Sequence, residues 1–364
     1  MQNDKNTIAP SLYRGDPIPG SYVFFRLPGK TEKSLISGTA FLLVDGLTLI
    51  PEREGFVMAP FPGSSPVLWL DAGITTSVPS GDGSDNLIFP DLTSLPGNSL
   101  LTAVTEEEYK KQVGDIRKMI QDGAAGKVVL SRQMPVDLDK DFDLQRFFNL
   151  LCEQYPDAFV YLACIPGYGC WAGASPETLL RFRNGTLSTM ALAGTRKSGE
   201  KGGWGEKDVA EHNFVVDFIE MQLKRAGCNE IRKSKTCSVN AGKVMHLCTD
   251  FSAECRPDHL AAIVGALHPT PAVCGWPAEK ALDIIQRTEK HERTYYTGYL
   301  GPVGADTTDL FVNLRCIQLF REKAIVYTGG GLTAGSDPQK EWDETVLKST
   351  TMLSAMEKMR NLAV

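Results

Sequence analysis

The sequence predicts an α+β fold built on large antiparallel sheets. Apolar runs of strand length recur along the 364 residues, and helical patterns stand between them. The two kinds of segment do not alternate in the regular strand–helix–strand order that a parallel sheet requires. The composition, with 42% hydrophobic and 23% charged residues, is that of a globular protein. The length suits one large domain or two ordinary ones.

The first hundred residues predict short strands joined by turns. Strand-like runs stand at 21–29, 39–46, 55–61 and 65–73. The segment 77–99 is rich in Ser, Gly, Asp and Pro, and this composition is typical of a loop. We therefore predict a variable N-terminal part at 1–100 and a second region at 101–364.

The second region begins with a helix. Thr105 and Glu108 form a capping box, apolar residues follow at helical spacing from Tyr109 to Ile120, and Gly123 ends the pattern. Further helices are predicted at 143–156, at 207–226 before Gly227, and from Pro338 towards Met359. Strands are predicted at 126–132, 158–166, 169–185, 186–196, 242–254 and 309–331.

Charge and cysteine content limit the class of protein. A formal net charge of −6 argues against nucleic acid or an anionic membrane as the main partner. Nine cysteines without metal-binding spacing predict reduced thiols in a cytoplasmic protein. No apolar run has the length of a membrane span, and the first residues lack the apolar core of a signal peptide.

Lys127 is the first anomaly in the pattern. It stands at the start of an apolar strand, on the same face as Val129 and Ser131. Because lysine is among the residues least often buried, an ammonium group here suggests a chemical role. Burial disfavours the charged form of an amine and would prepare it to accept a proton.

Two predicted helices each carry a pair of acids on one face. Asp208 and Glu211 are three residues apart on one helix, and Glu341, Glu344 and Lys348 share a face of another. Four carboxylates on two helices suit magnesium, which prefers oxygen ligands. The alternative is structural, because acidic residues near helix N-termini are favoured by the helix dipole.

Other candidate residues each admit a structural explanation. The three glycines at 329–331 predict a loop whose backbone N–H groups can approach an anion, or a simple turn. Arg315 is expected on a strand face with Asn313 and Ile317, where it needs an anionic partner if buried. Glu177 follows a proline in a turn, and His246 lies on an apolar strand where a core role is the alternative.

Ten short segments together resemble the chorismate-utilising enzymes. This family includes isochorismate synthase, salicylate synthase and the large subunits of anthranilate and aminodeoxychorismate synthase. The resemblance runs from about residue 115 to the C-terminus. The matching segments are, in the family's order, KVVLSR, GASPETLL, LAGTR, EKDVAEH, HL, HPTPAVCGWP, ERTYYTG, LRC, YTGGG and DPQKEWDETVLKS.

The resemblance implies two large stacked antiparallel sheets flanked by helices, with residues 101–364 forming the chorismate-binding catalytic region. It makes Glu211 and Glu344 direct ligands of Mg²⁺, with Asp208 and Glu341 behind them through waters. It makes Lys127 the general base and Glu177 the general acid. The substrate-binding residues that it implies are Gly194, Thr195, His246, Ala272, Tyr296, Arg315, Tyr327, Gly329, Gly330, Gly331 and Lys348.

The sequence departs from the family pattern at three points. Asp208 stands where glutamate is usual, Thr294 where glycine is common, and Gly330 where alanine is usual. The segments KVVLSR and HPTPAVCGWP nevertheless look most like those of the isochorismate synthases. The implied reaction is the conversion of chorismate to isochorismate by water addition at C2 and loss of the C4 hydroxyl.

Three other activities are open at this point. Salicylate synthase continues from isochorismate by eliminating pyruvate, and the sequence does not separate the two. An anthranilate-type synthase needs an amidotransferase partner; Lys127 argues against it, so no such subunit is expected. A non-catalytic chorismate-binding protein would not need the complete set of acid, base and metal residues. The use of the product, in menaquinone or in siderophore synthesis, lies outside the chain.

Overall fold

A computed structural model gives the structure of the chain. It describes residues 12–361 except 47, 64, 73, 79–88, 91–94, 96, 98–101, 201 and 243. Most of the predicted loop at 77–99 therefore lies outside the described residues, as do residues 1–11. The helices are α1 Glu106–Gln121, α2 Leu144–Gln154, α3 Glu206–Arg225, α4 Leu260–Leu267, α5 Ala278–Thr288 and α6 Pro338–Asn361.

Strands make up most of the described residues outside these helices. In chain order they are β1 Tyr13–Arg26, β2 Lys33–Leu43, β3 Gly55–Ala59, β4 Leu68–Asp71, β5 Ile74–Val78, β6 Lys127–Asp137, β7 Phe159–Ile165, β8 Gly169–Ser175, β9 Thr178–Arg183, β10 Thr186–Lys197, β11 Asn229–Lys233, β12 Cys237–Ala241, β13 Val244–Glu254, β14 Gly275–Trp276, β15 Tyr299–Val303, β16 Thr307–Val312, β17 Cys316–Leu319 and β18 Lys323–Leu332.

All these strands join one hydrogen-bonded network, and every pairing between them is antiparallel. One half has the order β14-β6-β18-β17-β8-β7-β1. The other half has the order β2-β4-β3-β15-β16-β9-β10-β13, with β5 beside β2 and β11 and β12 beside β13. The pairing of β1 with β2 connects the two halves.

The two halves stack face to face. Their shared core contains Phe25, Phe159 and Trp171 from the first half and Phe56 and Phe311 from the second. The Phe159 and Phe311 rings are stacked with centroids 4.2 Å apart, a spacing that gives aromatic pairs extra stabilisation beyond area burial. The predicted two stacked sheets are thus confirmed, as halves of one continuous network.

Helices cover both outer faces of the stack. Helices α2 and α6 pack on the first half, α1 and α5 pack against β6, and α3 and α4 pack on the second half. Strand β6 therefore has apolar neighbours on both faces, and its first seven residues are all buried. No helix within the described ranges is both long and apolar enough to cross a lipid bilayer.

Local signals set several element boundaries as predicted. The Thr105 side chain accepts from the Glu108 backbone while the Glu108 carboxylate accepts from the Thr105 backbone, which confirms the capping box. Gly123 and Gly227 follow α1 and α3 with φ of +84° and +72°, the left-handed conformation common just beyond helix C-termini.

Two predicted backbone conformations near the C-terminus are wrong. Arg315 does not share a strand face with Asn313 and Ile317, because 313–315 separate β16 from β17 and Arg315 has a φ of +48°. The glycines 329–331 are not a loop. They complete β18, opposite Ser131, Leu130 and Val129 of β6.

The cysteine prediction is wrong at one pair. Cys164 of β7 and Cys170 of β8 face each other across the hairpin and are joined by a disulfide. The other seven cysteines are free. The cysteine content therefore no longer supports the expectation of a cytoplasmic protein.

Candidate active site

One cavity gathers most of the predicted site residues. Its walls come from β10, β13 and β18, from helices α3 and α6, and from the loops that precede β9 and β17. The predicted residues that line it are Glu177, Gly194, Thr195, Glu211, His246, Ala272, Tyr296, Arg315, Tyr327, Gly329, Gly330, Gly331 and Lys348. The remaining four predicted residues lie just behind this lining. Lys127 pairs with Glu211, Glu341 and Glu344 lie beside Gly330, and Asp208 is on α3 with Glu211.

Lys127 is fully buried, as the first residue of β6. Its Nζ lies 3.1 Å from Glu211 Oε1, yet it has no hydrogen-bond partner among the described residues. A buried ammonium with its hydrogen-bonding capacity unused is costly in a purely structural role. The arrangement leaves Nζ free to bond to a water or a substrate atom beside Glu211.

Glu177 is buried at the turn between β8 and β9. Burial raises the pKa of its carboxyl to about 8, although Lys127 and Lys348 act in the opposite direction. The group therefore stays protonated at neutral pH and can donate a proton. The surface turn that a Pro-Glu sequence favours is not what this segment forms.

Arg315 is a partly buried cation without a carboxylate partner among the described residues. Its guanidinium donates to the Lys348 carbonyl oxygen and to His246 Nε2, each at 3.3 Å. Burial lowers its pKa to about 10, which leaves it charged at neutral pH. The structural alternative, an internal ion pair, is absent from this part of the structure, so Arg315 is available to an anionic ligand.

His246 is positioned as a neutral hydrogen-bonding group. Its Nδ1 donates to the Gly194 carbonyl oxygen at 2.8 Å, which leaves Nε2 to accept from Arg315. Burial, together with Arg315 and Lys348, lowers its pKa to about 3. His246 therefore orients the arginine and does not compete with it for an anion.

The glycines of β18 let charged groups approach the backbone. A Cβ at Gly331 would overlap Glu211 Oε1 and lie 2.9 Å from Lys127 Cε, and one at Gly330 would lie 3.2 Å from Glu341 Oε2. Strand β17 pairs with β18 only as far as Val326. Beyond that point one edge of β18 has no neighbouring strand among the described residues, so the backbone groups of Gly329–Gly331 that do not bond to β6 are open on that edge.

Each of three carboxylates beside these glycines is paired with its own lysine. Lys127 pairs with Glu211 at 3.1 Å, Lys348 with Glu344 at 2.6 Å, and Lys207 with Glu341 at 2.5 Å. Burial, reinforced by Glu344, raises the pKa of Glu341 to about 7 despite Lys207.

The two other acids of the cluster differ in electrostatic environment. Burial acts against ionisation of Glu344, but Lys348 and Lys207 outweigh it and hold its pKa below the usual value. The half-buried Asp208 has a raised pKa because of burial, in spite of Lys207. Glu344 is therefore the more firmly ionised of the two.

The donor atoms fit magnesium in kind. All four predicted ligands are carboxylates, and Glu341 Oε2 is buried without a hydrogen-bond partner near Gly330. Within the described ranges, no three His, Cys, Asp or Glu side chains stand close enough together to hold a metal ion. The lysines supply the positive charge in this arrangement.

The sequence reasoning missed Lys207 and the apolar part of the cavity wall. Val129, Leu192, Val273 and Leu314 also line the cavity, and nothing distinguishes them from ordinary core residues in the sequence. Lys207 did carry a signal, because a cation in the first turn of a helix opposes the helix dipole.

Comparisons with known proteins identify the relatives of this chain. A sequence profile of the family described as "Chorismate binding enzyme" matches residues 93–357. The vibriobactin-specific isochorismate synthase of Vibrio cholerae is 28% identical over 269 residues, which cover 70% of this chain and 68% of that protein. The salicylate biosynthesis isochorismate synthase of Pseudomonas aeruginosa is 34% identical over 268 residues, with 70% of this chain and 56% of that protein covered.

The relatives include a second activity. Anthranilate synthase component 1 of Acetivibrio thermocellus is 30% identical over 275 residues, which cover 70% of this chain and 54% of that protein. The matched part of the chain thus spans little more than half the length of the Pseudomonas and Acetivibrio proteins.

A solved structure shows the same fold. The menaquinone-specific isochorismate synthase of Escherichia coli superposes with a TM-score of 0.76 at 21% sequence identity, and the match covers 96% of this chain and 92% of that one.

Proposed function

The chain belongs to the chorismate-binding enzyme family, and on this basis we propose that it is an isochorismate synthase, an isomerase that converts chorismate to isochorismate with magnesium. The observation that carries the proposal is that a buried amine and a protonated carboxyl are both present at one cavity. Lys127 Nζ lies at Glu211 without a hydrogen bond, and Glu177 holds its proton at neutral pH.

The reaction needs a base and an acid at different carbons of one ring. Lys127, in its neutral form, accepts a proton from water as the water oxygen bonds to C2. The ring double bonds shift, the C4–O bond breaks, and Glu177 donates its proton so that the hydroxyl leaves as water. Solvent then returns a proton to Glu177 and takes one from Lys127. One water is consumed at C2 and one is released from C4.

Binding of the dianionic substrate falls to the cations and backbone donors. Arg315, Lys348 and those N–H groups of Gly329–Gly331 that do not bond to β6 would hold one carboxylate. Glu211 and Glu344 would hold magnesium, with Asp208 and Glu341 behind them. When bound, the metal supplies positive charge to the ring carboxylate and withdraws electron density from the diene.

The departures from the family pattern fit this assignment. The shorter Asp208 side chain remains at the start of α3, where its carboxyl accepts from the Gly205 backbone. Gly330, in place of alanine, lies in the strand and leaves room beside Glu341 Oε2.

The test is the identity of the product. Protein incubated with chorismate and Mg²⁺ is expected to yield isochorismate, identified by chromatography and mass. A lactate dehydrogenase-coupled assay run in parallel is expected to show no pyruvate. Stoichiometric pyruvate with fluorescent salicylate would instead establish a salicylate synthase, and aminated product from ammonium would establish an anthranilate-type enzyme.

A further inference from the structure

We propose that Lys207 is a built-in counter-ion that weakens magnesium binding at the carboxylate site and restrains one oxygen of Glu341. The inference rests on the magnesium site of the proposed function. It concerns a residue that does not line the cavity and has no part in the reaction described above.

The location of Lys207 is unfavourable unless it has a partner. It lies in the first turn of α3, between Glu206 and Asp208. The helix dipole places partial positive charge at this end, so a cation here loses stability while its acidic neighbours gain it. A lysine at this position needs an attraction from another element to offset that cost.

Helix α6 provides that attraction. Lys207 Nζ lies 2.5 Å from Glu341 Oε1, and the Glu341 side chain is only 2% exposed. The ammonium group of Lys207 is therefore held directly against one of the four proposed metal ligands.

The pairing divides the two oxygens of Glu341 between different tasks. Oε1 is held by Lys207, whereas Oε2 is buried, unpartnered and next to Gly330. Of the two Glu341 oxygens, Oε2 is therefore the one left to accept from a metal-bound water beside the glycines. Lys207 in this way limits Glu341 to one available oxygen without filling the space beside it.

Lys207 differs from the other two lysines of the cluster. Lys127 and Lys348 have proposed roles towards substrate, whereas Lys207 is paired with the carboxylate of Glu341. With all groups ionised, the four carboxylates and three ammonium groups leave a single net negative charge. Removing Lys207 doubles that charge, and Mg²⁺ should then bind more tightly even without substrate.

The experiment measures Mg²⁺ binding directly. MgCl₂ is titrated calorimetrically into substrate-free protein at pH 8, with the wild type and Lys207→Met compared. The variant keeps the apolar stem and loses the charge, so we expect its Mg²⁺ dissociation constant to fall about tenfold. Lys207→Arg keeps the charge and should stay within about twofold of the wild type.

A surface lysine serves as the matched control. Lys224 pairs with Glu220 in the last turn of α3, at the opposite end of that helix from Lys207, and Lys224→Met should leave Mg²⁺ affinity unchanged. Thermal unfolding checks each protein, and Lys207→Gln replaces Lys207→Met if the latter does not unfold cooperatively.

Two results would overturn the inference in distinguishable ways. If the wild type binds Mg²⁺ and the uncharged variant binds it equally or more weakly, Lys207 is not an opposing counter-ion, and the proposed function stands. If the wild type binds no Mg²⁺ at all, the metal site of the proposed function fails and the inference fails with it.

Discussion

Glu177 and Lys127 share one buried environment but are needed in opposite protonation states. A low-dielectric site favours the neutral forms of both an acid and an amine. For a carboxyl group the neutral form is the proton donor, and for an amine it is the proton acceptor. Burial at this cavity keeps the Glu177 carboxyl protonated at neutral pH, as the proposed acid requires.

Lys127→Gln is expected to lower the rate of isochorismate formation by about 10²-fold or more, the typical contribution of one positioned base. Chorismate should still bind with Mg²⁺, because Lys127 has no part in ground-state binding. The measurement is initial rate by chromatography, with chorismate binding by calorimetry as the control. Retention of the wild-type rate would exclude Lys127 as the base. With ammonium at high pH, this variant can also reveal an aminated product.

Glu177 predicts the alkaline limb of the pH profile. Its carboxyl donates only while protonated, and its pKa is raised to about 8 by burial. We expect kcat/KM, which reports the free enzyme, to fall about tenfold per pH unit above that value. Glu177→Gln should lose about 10²-fold in rate and lack this limb. A variant that keeps the wild-type alkaline limb would show that another group produces it.

Glu344 tests the metal assignment. Glu344→Gln removes a proposed ligand and the partner of Lys348 at 2.6 Å, so magnesium-dependent turnover should be lost. Circular dichroism and thermal unfolding should show an intact fold. Turnover near that of the wild type, at saturating chorismate and limiting Mg²⁺, would contradict the assignment.

At the residue scale, the sequence predicted groups that the fold gathers around one cavity, but not how they are held. Lys127 stood out because a cation is costly in an apolar strand. The sequence did not show that Arg315 lacks a carboxylate partner among the residues that the structure describes, because only the fold brings its neighbours together. Its left-handed φ was equally hidden, because arginine has no special preference for that region.

At the element scale, the end of β18 is a regular strand that lies directly against charged side chains. Its glycines pair with β6 in register, while Glu211 and Lys127 occupy the space where a Cβ at Gly331 would stand. A strand of any other residue type would keep the pairing but displace the charged groups. The glycines thus allow charged side chains to approach the backbone of β18 closely. They do this within a regular strand, so the predicted loop does not form.

Gly331→Ala is expected to reduce activity strongly, by about 10²-fold, because the methyl group displaces the Lys127–Glu211 pair. It should also lower the free energy of unfolding by about 1–3 kcal/mol through overpacking. Denaturant unfolding and initial rates measure the two effects.

The control for this substitution lies in α1. Gly114 has open space around its would-be Cβ, so Gly114→Ala should keep full activity and stabilise by about 0.5–1 kcal/mol. Equal effects of the two substitutions would contradict the argument from close approach.

Elements with local signals were predictable, and those without them were not. The capping box and Gly123 bound α1 in the sequence itself. Helix α4, Leu260–Leu267, was missed because a short run that is apolar throughout cannot be told from a strand by periodicity. Helix α5 did carry a usable pattern in Ala281, Ile284 and Ile285, but Pro277 and the proline-rich segment before it suggested only a loop.

At the scale of the whole molecule, the N-terminal strands are structural members of the sheet. β1 pairs with β7, and β3 pairs with β15, so residues before 100 complete both halves. The boundary between a variable part and a catalytic part at residue 100 stays a prediction about function. The family resemblance gave the stacked arrangement, but the joining of both halves through β1 and β2 depends on pairings that no local segment encodes.

A fragment of residues 102–364 tests this dependence. It lacks β1–β5, which leaves the edges of β7 and β15 open and removes Phe25 and Phe56 from the shared core. We expect loss of a cooperative thermal transition and aggregation on size-exclusion chromatography, with the full chain as control. A fragment that unfolds cooperatively with the far-UV spectrum of the full chain would contradict this expectation.

The interleaving of strands has a consequence for synthesis on the ribosome. β6, β7 and β8 emerge early, but their half is completed by β1 from the start of the chain and by β17 and β18 from near its end. The other half likewise waits for β15 and β16 to join β3 and β9. A nascent chain therefore carries unpaired apolar strands until β15 to β18 have been translated. Its hydrophobic edges must be protected from neighbouring chains over that whole interval.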